Sequence, residues 1–258
     1  FQSREAWLRM GREFGGLNIN LSIDYASNDG DRDRLINNDA QSLLLPSPFV
    51  GNPTASFAPG PLENRQEMWN SKLNVSTAIW ELDTFSWNLV DAGVGSGAAQ
   101  ALDPAGYDEN DYYGSNFLIK PLEFGKAWTF NGNLGFTVLD LDAHFVLFPP
   151  GAEFAGFPFE DGVIGNPSYL EKTTFGEVVS THTSDSMNIR IAAGFRSQEF
   201  EAGETKNFGS DFGTLVDVSG TAEVYIRDEE REHYYVSLQN EWAFANDWEL
   251  TAGVRYDT

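Results

Sequence analysis

The chain has 258 residues, 41% hydrophobic and 14% aromatic, too rich in core-forming side chains to be a disordered tail. Its formal net charge of -23, from 39 acidic against 16 basic side chains, argues against a nucleic-acid partner, which needs basic patches. With 0 cysteines it offers neither disulfides nor thiolate metal sites, and it has no apolar run of about eighteen residues for a transmembrane helix. Membrane-crossing strands leave no such run, because only alternate residues meet lipid, so alternation decides the question.

Residues 5–14 fit two templates. Trp7, Met10 and Phe14 would share a helix face, while Ala6, Leu8 and Met10 alternate with Trp7, Arg9 and Gly11. The strand reading is preferred, because Gly15-Gly16 turns at once into a clear strand. There Leu17, Ile19, Leu21, Ile23 and Tyr25 face one way, and Asn18, Asn20, Ser22 and Asp24 the other. Residues 28–64 are loop, since Pro46, Pro48, Pro53, Pro59 and Pro61 cannot sit inside a ladder. A strand over 72–80 with Leu73, Val75 and Ile79 on one face leads to an expected turn at Glu81–Thr84, and Phe85, Trp87 and Leu89 open the next strand. A loop to about Asp111 follows.

A third pair spans 112–123 and 127–145 around Phe124-Gly125-Lys126. In its second strand Trp128, Phe130, Leu134, Phe136 and Val138 share a face, after which Leu139, Leu141, Ala143, Phe145 and Leu147 take the opposite parity. That switch reads as a β-bulge or as the strand leaving the membrane. After a loop from Pro149 to Pro167, a fourth pair spans 169–181 and 187–200 around Thr183–Ser186. A glycine-rich loop then leads to the last hairpin, with Val236, Leu238 and Trp242 on one strand, a turn at Asn246-Asp247, and Trp248, Leu250, Ala252, Val254 and Tyr256 on the other.

Short turns and long loops thus alternate. The expected fold is all-β: an antiparallel up-and-down transmembrane β-barrel segment of about ten strands in five hairpins, part of a larger barrel. Aromatics flank the short turns (Phe14; Trp80, Phe85 and Trp87; Phe124 and Trp128; Trp242 and Trp248), as in a girdle at a membrane boundary. A soluble sandwich or propeller with large core aromatics is the competing reading.

Three stretches, Tyr234–Asp257, Asp91–Asp108 and Ser56–Arg65, resemble TonB-dependent outer-membrane receptors of the siderophore-receptor kind. The strand Trp248–Asp257, of the pattern W-x-L-T-x-G-x-R-Y-D, is the most specific. The resemblance implies that residues 1–258 are part of a receptor β-barrel in the bacterial outer membrane, with the plug domain and TonB box absent from this chain. It implies energised import of a scarce, large nutrient, most often a ferric siderophore, by capture on extracellular loops and TonB-driven gating. The implied partners are the TonB complex, acting through the missing plug and box, the ligand, outer-membrane lipid and lipopolysaccharide, and the remainder of the same barrel. A passive porin-like channel or a structural or adhesion barrel is the alternative.

Ligand contacts are expected from loop aromatics: Phe49, Phe57, Tyr107, Tyr112, Tyr113, Phe154, Phe157, Phe208 and Phe212. Each can equally pin its own loop. Asp29, Asp31 and Asp33 have an alternating acidic spacing that suggests calcium, but Arg34 and Ala40 break the EF-hand pattern and a solvated acidic loop is the simpler reading. No cofactor is expected. Arg190, Arg196 and Arg255 are placed on the polar face with Glu249 and Asp257, as a wall of ion pairs or as contacts to a plug or an anionic ligand. His144, His182 and His233 are far apart in sequence, and neither G-x-S-x-G nor H-E-x-x-H occurs, so an enzyme is not expected; a triad assembled across strands stays open.

Overall fold

The computed structural model describes residues 2–43, 55–95, 97–98, 100–154, 156–245 and 248–258. In chain order the strands are β1 (Ser3–Phe14), β2 (Leu17–Asn28), β3 (Leu35–Ile36), β4 (Gly60–Pro61), β5 (Gln66–Ser76), β6 (Trp80–Gly93), β7 (Tyr107–Phe124), β8 (Trp128–Phe148), β9 (Ala152–Phe154), β10 (Phe157–Phe159), β11 (Val163–Thr183), β12 (Met187–Lys206), β13 (Val216–Asp217), β14 (Glu229–Ala245) and β15 (Trp248–Asp257). The long strands form one antiparallel meander, β1-β2-β5-β6-β7-β8-β11-β12-β14-β15, with β13 added beside β12. The pairs β3–β4 and β9–β10 lie within loops. The ambiguous first segment is a strand, paired with β2 from Ser3↔Asn28 to Phe14↔Leu17.

Cross-strand register divides the sheet into two faces. One carries Leu21 opposite Leu73, Leu82 opposite Phe117, Phe117 opposite Leu134, and Leu238 opposite Val254. The other is polar and hydrogen-bonded across strands. There Asn74 donates to Glu81 (2.8 Å) and Asp83 (3.0 Å), Arg9 pairs with Asp24 (2.7 Å), and Lys120 pairs with Glu81 (3.5 Å). Among the described residues no second layer covers the apolar face: Phe124, Val254 and Leu134 are 79%, 66% and 55% exposed. Buried apolar side chains gather instead at the long-loop end, as Leu89, Leu102, Ala143, Val146, Phe159, Val163 and Val218. A single sheet with one bare apolar face is not stable in water; it needs an apolar surrounding against it.

Three expectations move. The turn after β5 is Thr77-Ala78-Ile79, not Glu81–Thr84. The Thr77 hydroxyl accepts the backbone N–H groups of Ile79 (3.2 Å) and Trp80 (3.1 Å), while Thr77 N–H donates to Trp80 O (2.8 Å). Glu81 and Asp83 look like turn formers in sequence but serve the polar face of β6. Phe85 and Trp87 fall on that same polar face, so they do not belong to the aromatic edge. Finally, β8 has no bulge at Val138–Leu139. Its pairing with β7 and β11 runs through both residues without a shift, and the parity switch is a change of polarity along one continuous strand. The expected Asn246-Asp247 turn lies outside the described residues.

Candidate functional site

At the loop end, β8, β11 and β12 run beyond their expected limits to Phe148, Val163 and Lys206. Their polar-face positions turn apolar as they do so. Leu139, Leu141, Ala143, Phe145 and Leu147 on β8 continue the face that carries Asn131 and Asn133 lower down, and Tyr169 of β11 stacks on Phe200 of β12 (5.2 Å). Against this inner end fold the loops. Together Phe145, Leu147, Pro167, Phe208, Val224 and Tyr225 wall a cavity of about 530 Å³, within the range of small-molecule pockets, roughly 300–1,000 Å³.

The floor of the cavity is an ion pair. Lys206 Nζ lies 3.5 Å from Glu204 Oε1, with side-chain exposures of 9% and 6%. The ammonium also donates to the Glu223 carbonyl and sits 5.3 Å from the Phe208 ring centroid. Glu204 accepts the Tyr225 N–H, its own N–H donates to Ser219 Oγ (3.0 Å), and Val218 N–H donates to Glu204 O (2.9 Å). Two charges taken out of water need this dense bonding to be tolerated. They neutralise each other, while Glu223 also lines the pocket with its carboxylate accepting the Ser210 N–H (3.1 Å) and hydroxyl, so the aromatic and aliphatic walls carry one net negative charge.

Two buried carboxylates fix the loops around it. Asp39 Oδ1 accepts Ser42 N–H (2.8 Å) and the Ser56 hydroxyl (2.7 Å), and Oδ2 accepts Leu102 N–H (3.0 Å), which joins the first loop to the second. Burial opposes its charge, but these hydrogen bonds prevail and hold the carboxyl below the usual carboxylate range. Asp103, 2% exposed, accepts Gly106 N–H (2.8 Å) and Val146 N–H (2.7 Å), which joins the second loop to β8. Here burial prevails over the hydrogen bonds and raises the carboxyl. Gln41 Nε2 donates to Leu147 O (2.8 Å), and Asn207 Nδ2 donates to Gly162 O (2.7 Å).

Of the expected contact residues, Phe208 lines the pocket. Phe157 and Phe212 form a ring cluster with buried Phe159 (5.7–6.1 Å between centroids) that joins the third and fourth loops. Phe154 is opposite Phe157 in the β9–β10 pair, Phe57 is half-buried in the first loop, and Phe49 lies outside the described residues. Tyr107, Tyr112 and Tyr113 are not loop residues: all three are in β7, which starts at Tyr107, five residues earlier than expected, and Tyr112 and Tyr113 lie within the strand expected from 112. Tyr107 stacks on His144 (5.6 Å), and Tyr112 packs on Phe85 (5.0 Å). Asp29 and Asp33 are exposed, and among the described residues no three acidic or histidine side chains converge to hold a metal. The three histidines stay apart: His182 lies by Trp128 and His233 by Asp257. Sequence reasoning missed Lys206, Glu204, Tyr225, Asp39 and Asp103. A signal was present for one pair, since Glu204 and Lys206 are two apart in a strand and must share a face.

No family model matches the sequence, and no curated protein matches it. Solved structures do. The copper transporter OprC is similar over 98% of this chain and 34% of its own, at 12% identity and a TM-score of 0.57. The siderophore receptor PiuA from Acinetobacter baumannii is similar over 99% of this chain and 40% of its own, at 10% identity and a TM-score of 0.54. The chain therefore spans well under half the length of either protein. At these identities the likeness is one of fold, and it agrees with the resemblance carried by the strand Trp248–Asp257: the chain has the fold of part of a TonB-dependent receptor barrel.

Proposed function

We propose that this chain is part of the barrel wall of an outer-membrane, TonB-dependent receptor that imports a scarce, large nutrient, with a ferric siderophore as the first ligand class to test. The observation that carries the reading is the polarity of the meander. Its apolar face is bare and aromatic-edged at the short turns, while its loop end closes over an aromatic pocket. A receptor needs both, a surface for lipid and a capture site facing the medium. The remainder of the barrel, a plug and the TonB contact belong to the rest of such a protein. Lipid and lipopolysaccharide meet its outer face. Capture at the loop end favours a neutral or cationic ligand with an aromatic or apolar body, since Lys206 and Glu204 neutralise each other there and Glu223 adds a negative charge. The reading assigns no bond-making step to the protein.

Uptake by cells carrying the full-length gene tests it. Loss of ferric-siderophore uptake on deleting either that gene or TonB is expected. Uptake that continues without TonB, together with a steady ungated conductance in planar bilayers, would support the passive-channel alternative instead.

A further inference from the structure

On the polar face of β11, β12, β14 and β15, four arginines stand among a few carboxylates. Arg190, Arg196, Arg231 and Arg255 gather there in a chain of net charge -23. Only Glu177 and Asp257 are bonded among them. Asp257 is held by Arg255 (2.8 Å) and lies 2.9 Å from His233 Nε2. Glu177 accepts the Tyr235 hydroxyl and lies 3.8 Å from Arg190. Tyr235 is itself seated, with the Arg255 guanidinium 4.1 Å from its ring centroid and Gly194 beneath it; a Cβ there would sit 2.5 Å from the ring. Both carboxylates are thus consumed.

Arg196 and Arg231 are left over. Among the described residues neither makes an ion pair, and Glu229, two positions from Arg231 on the same strand face, forms none with it. Register makes the two arginines diagonal neighbours, since Arg196 is opposite His233 and Gln198 is opposite Arg231. With Gln198, His233, Tyr235, Arg255 and the Tyr235-bonded Glu177 they line a cavity of about 480 Å³, distinct in every lining residue from the loop-end pocket. Two adjacent, unpaired guanidiniums repel each other, and in so acidic a chain an acidic neighbour would have been easy to supply.

We infer that this cavity is an anion site that takes a small multivalent oxyanion, carboxylate or phosphate, between the Arg196 and Arg231 guanidiniums. Each fork can donate two parallel hydrogen bonds to such a group, which a lysine cannot do. The Gln198 amide, which also lines the cavity, supplies a further donor. The site is independent of the loop-end pocket, where Glu204 and Glu223 outnumber Lys206.

The test is calorimetric titration of the purified full-length protein in detergent micelles with citrate, with inorganic phosphate, and with chloride as control, at fixed ionic strength. Saturable binding of citrate or phosphate is expected, weakened about tenfold or more in the Arg196→Gln/Arg231→Gln double variant. Tighter citrate binding identifies the group as carboxylate, and tighter phosphate binding identifies it as phosphate. Arg196→Lys/Arg231→Lys keeps the charge without the forks and is expected to bind less well than the wild type. Lys126→Gln, in the short turn between β7 and β8, should leave citrate and phosphate binding unchanged. Heat-modified gel mobility confirms that each variant is folded. Absence of saturable binding by the wild type, or a folded double variant that binds like the wild type, overturns the assignment.

Discussion

The turn-side half of the wall and its loop-side end are made by the same strands with opposite rules. On β8 the outer face is apolar from Trp128 through Phe130, Leu134 and Phe136 to Val138, then becomes Asp140, Asp142 and His144. The inner face does the reverse, from Asn131 and Asn133 to Leu141, Phe145 and Leu147. The outer face of β12 passes from Ile189, Ile191 and Phe195 to Ser197, Glu199 and Glu201, and that of β14 from Trp242, Leu238 and Tyr234 to Glu232 and Glu230. The backbone does not notice: pairing is continuous across the switch. What changes is the surroundings. At about 3.3 Å per residue and a tilt of roughly 40°, Trp128 to Val138 rises about 25 Å, the height of an outer-membrane apolar band. Above that height water lies outside and packed loops inside, so the same period of two is written with its faces exchanged.

This difference can be broken at either end. The largest effect is expected in the loop-end pocket, where Lys206→Ala leaves Glu204 buried without its partner and costs about 3–5 kcal/mol, whereas Lys206→Met with Glu204→Leu is close to neutral. Urea unfolding of the protein in vesicles checks both. In the turn-side half, Leu134→Arg puts a charge in the apolar band and costs about 2–4 kcal/mol by the same assay. Asp142→Arg, on the same face of the same strand but past the switch, changes stability by less than about 0.5 kcal/mol. Equal costs for these two substitutions would remove the boundary drawn here.

Asp103→Asn takes one acceptor from the backbone N–H groups of Gly106 and Val146 and costs about 1–3 kcal/mol at the loop end, read as faster proteolysis of the second loop with an unchanged wall. The two buried carboxylates respond oppositely to acid. Asp103, raised by burial, binds its proton more tightly folded than unfolded, so its contribution improves as pH falls through its raised value. Asp39 is lowered, so its contribution is present above the usual carboxylate range and is lost as pH falls through its lowered value. Pepsin digestion across falling pH should therefore spare the loop end in mild acid and open it only at the acid extreme, at a higher pH in Asp39→Ala. The smallest effect is expected at Arg196, whose replacement by Gln removes no ion pair and shifts stability by less than about 0.5 kcal/mol while weakening anion binding.

Much of this was legible in the chain. Alternation located most of the long strands, because a strand with its two faces in different media must repeat every two residues, while the first segment was read as strand from the Gly15-Gly16 turn that follows it. Arg190, Arg196 and Arg255 were placed on one face by parity alone, and so they lie. The parity switch at Leu139 was visible as well, but its meaning was not, since a bulge and a change of surroundings leave the same trace in sequence. Turn assignment failed at Thr77 because a hydroxyl accepting the N–H groups of Ile79 and Trp80 is a weaker sequence signal than the acidic run Glu81–Asp83.

By itself the sequence determined the strand order, the short-turn and long-loop ends, and the division into faces, all of which follow from local periodicity. Tertiary structure alone decided the site. Glu204 accepts the Tyr225 N–H, Asp39 reaches Leu102, and Arg196 comes beside Arg231, because these contacts join residues far apart in the chain through cross-strand register and loop packing. Register is a property of the paired sheet, and no single strand carries it.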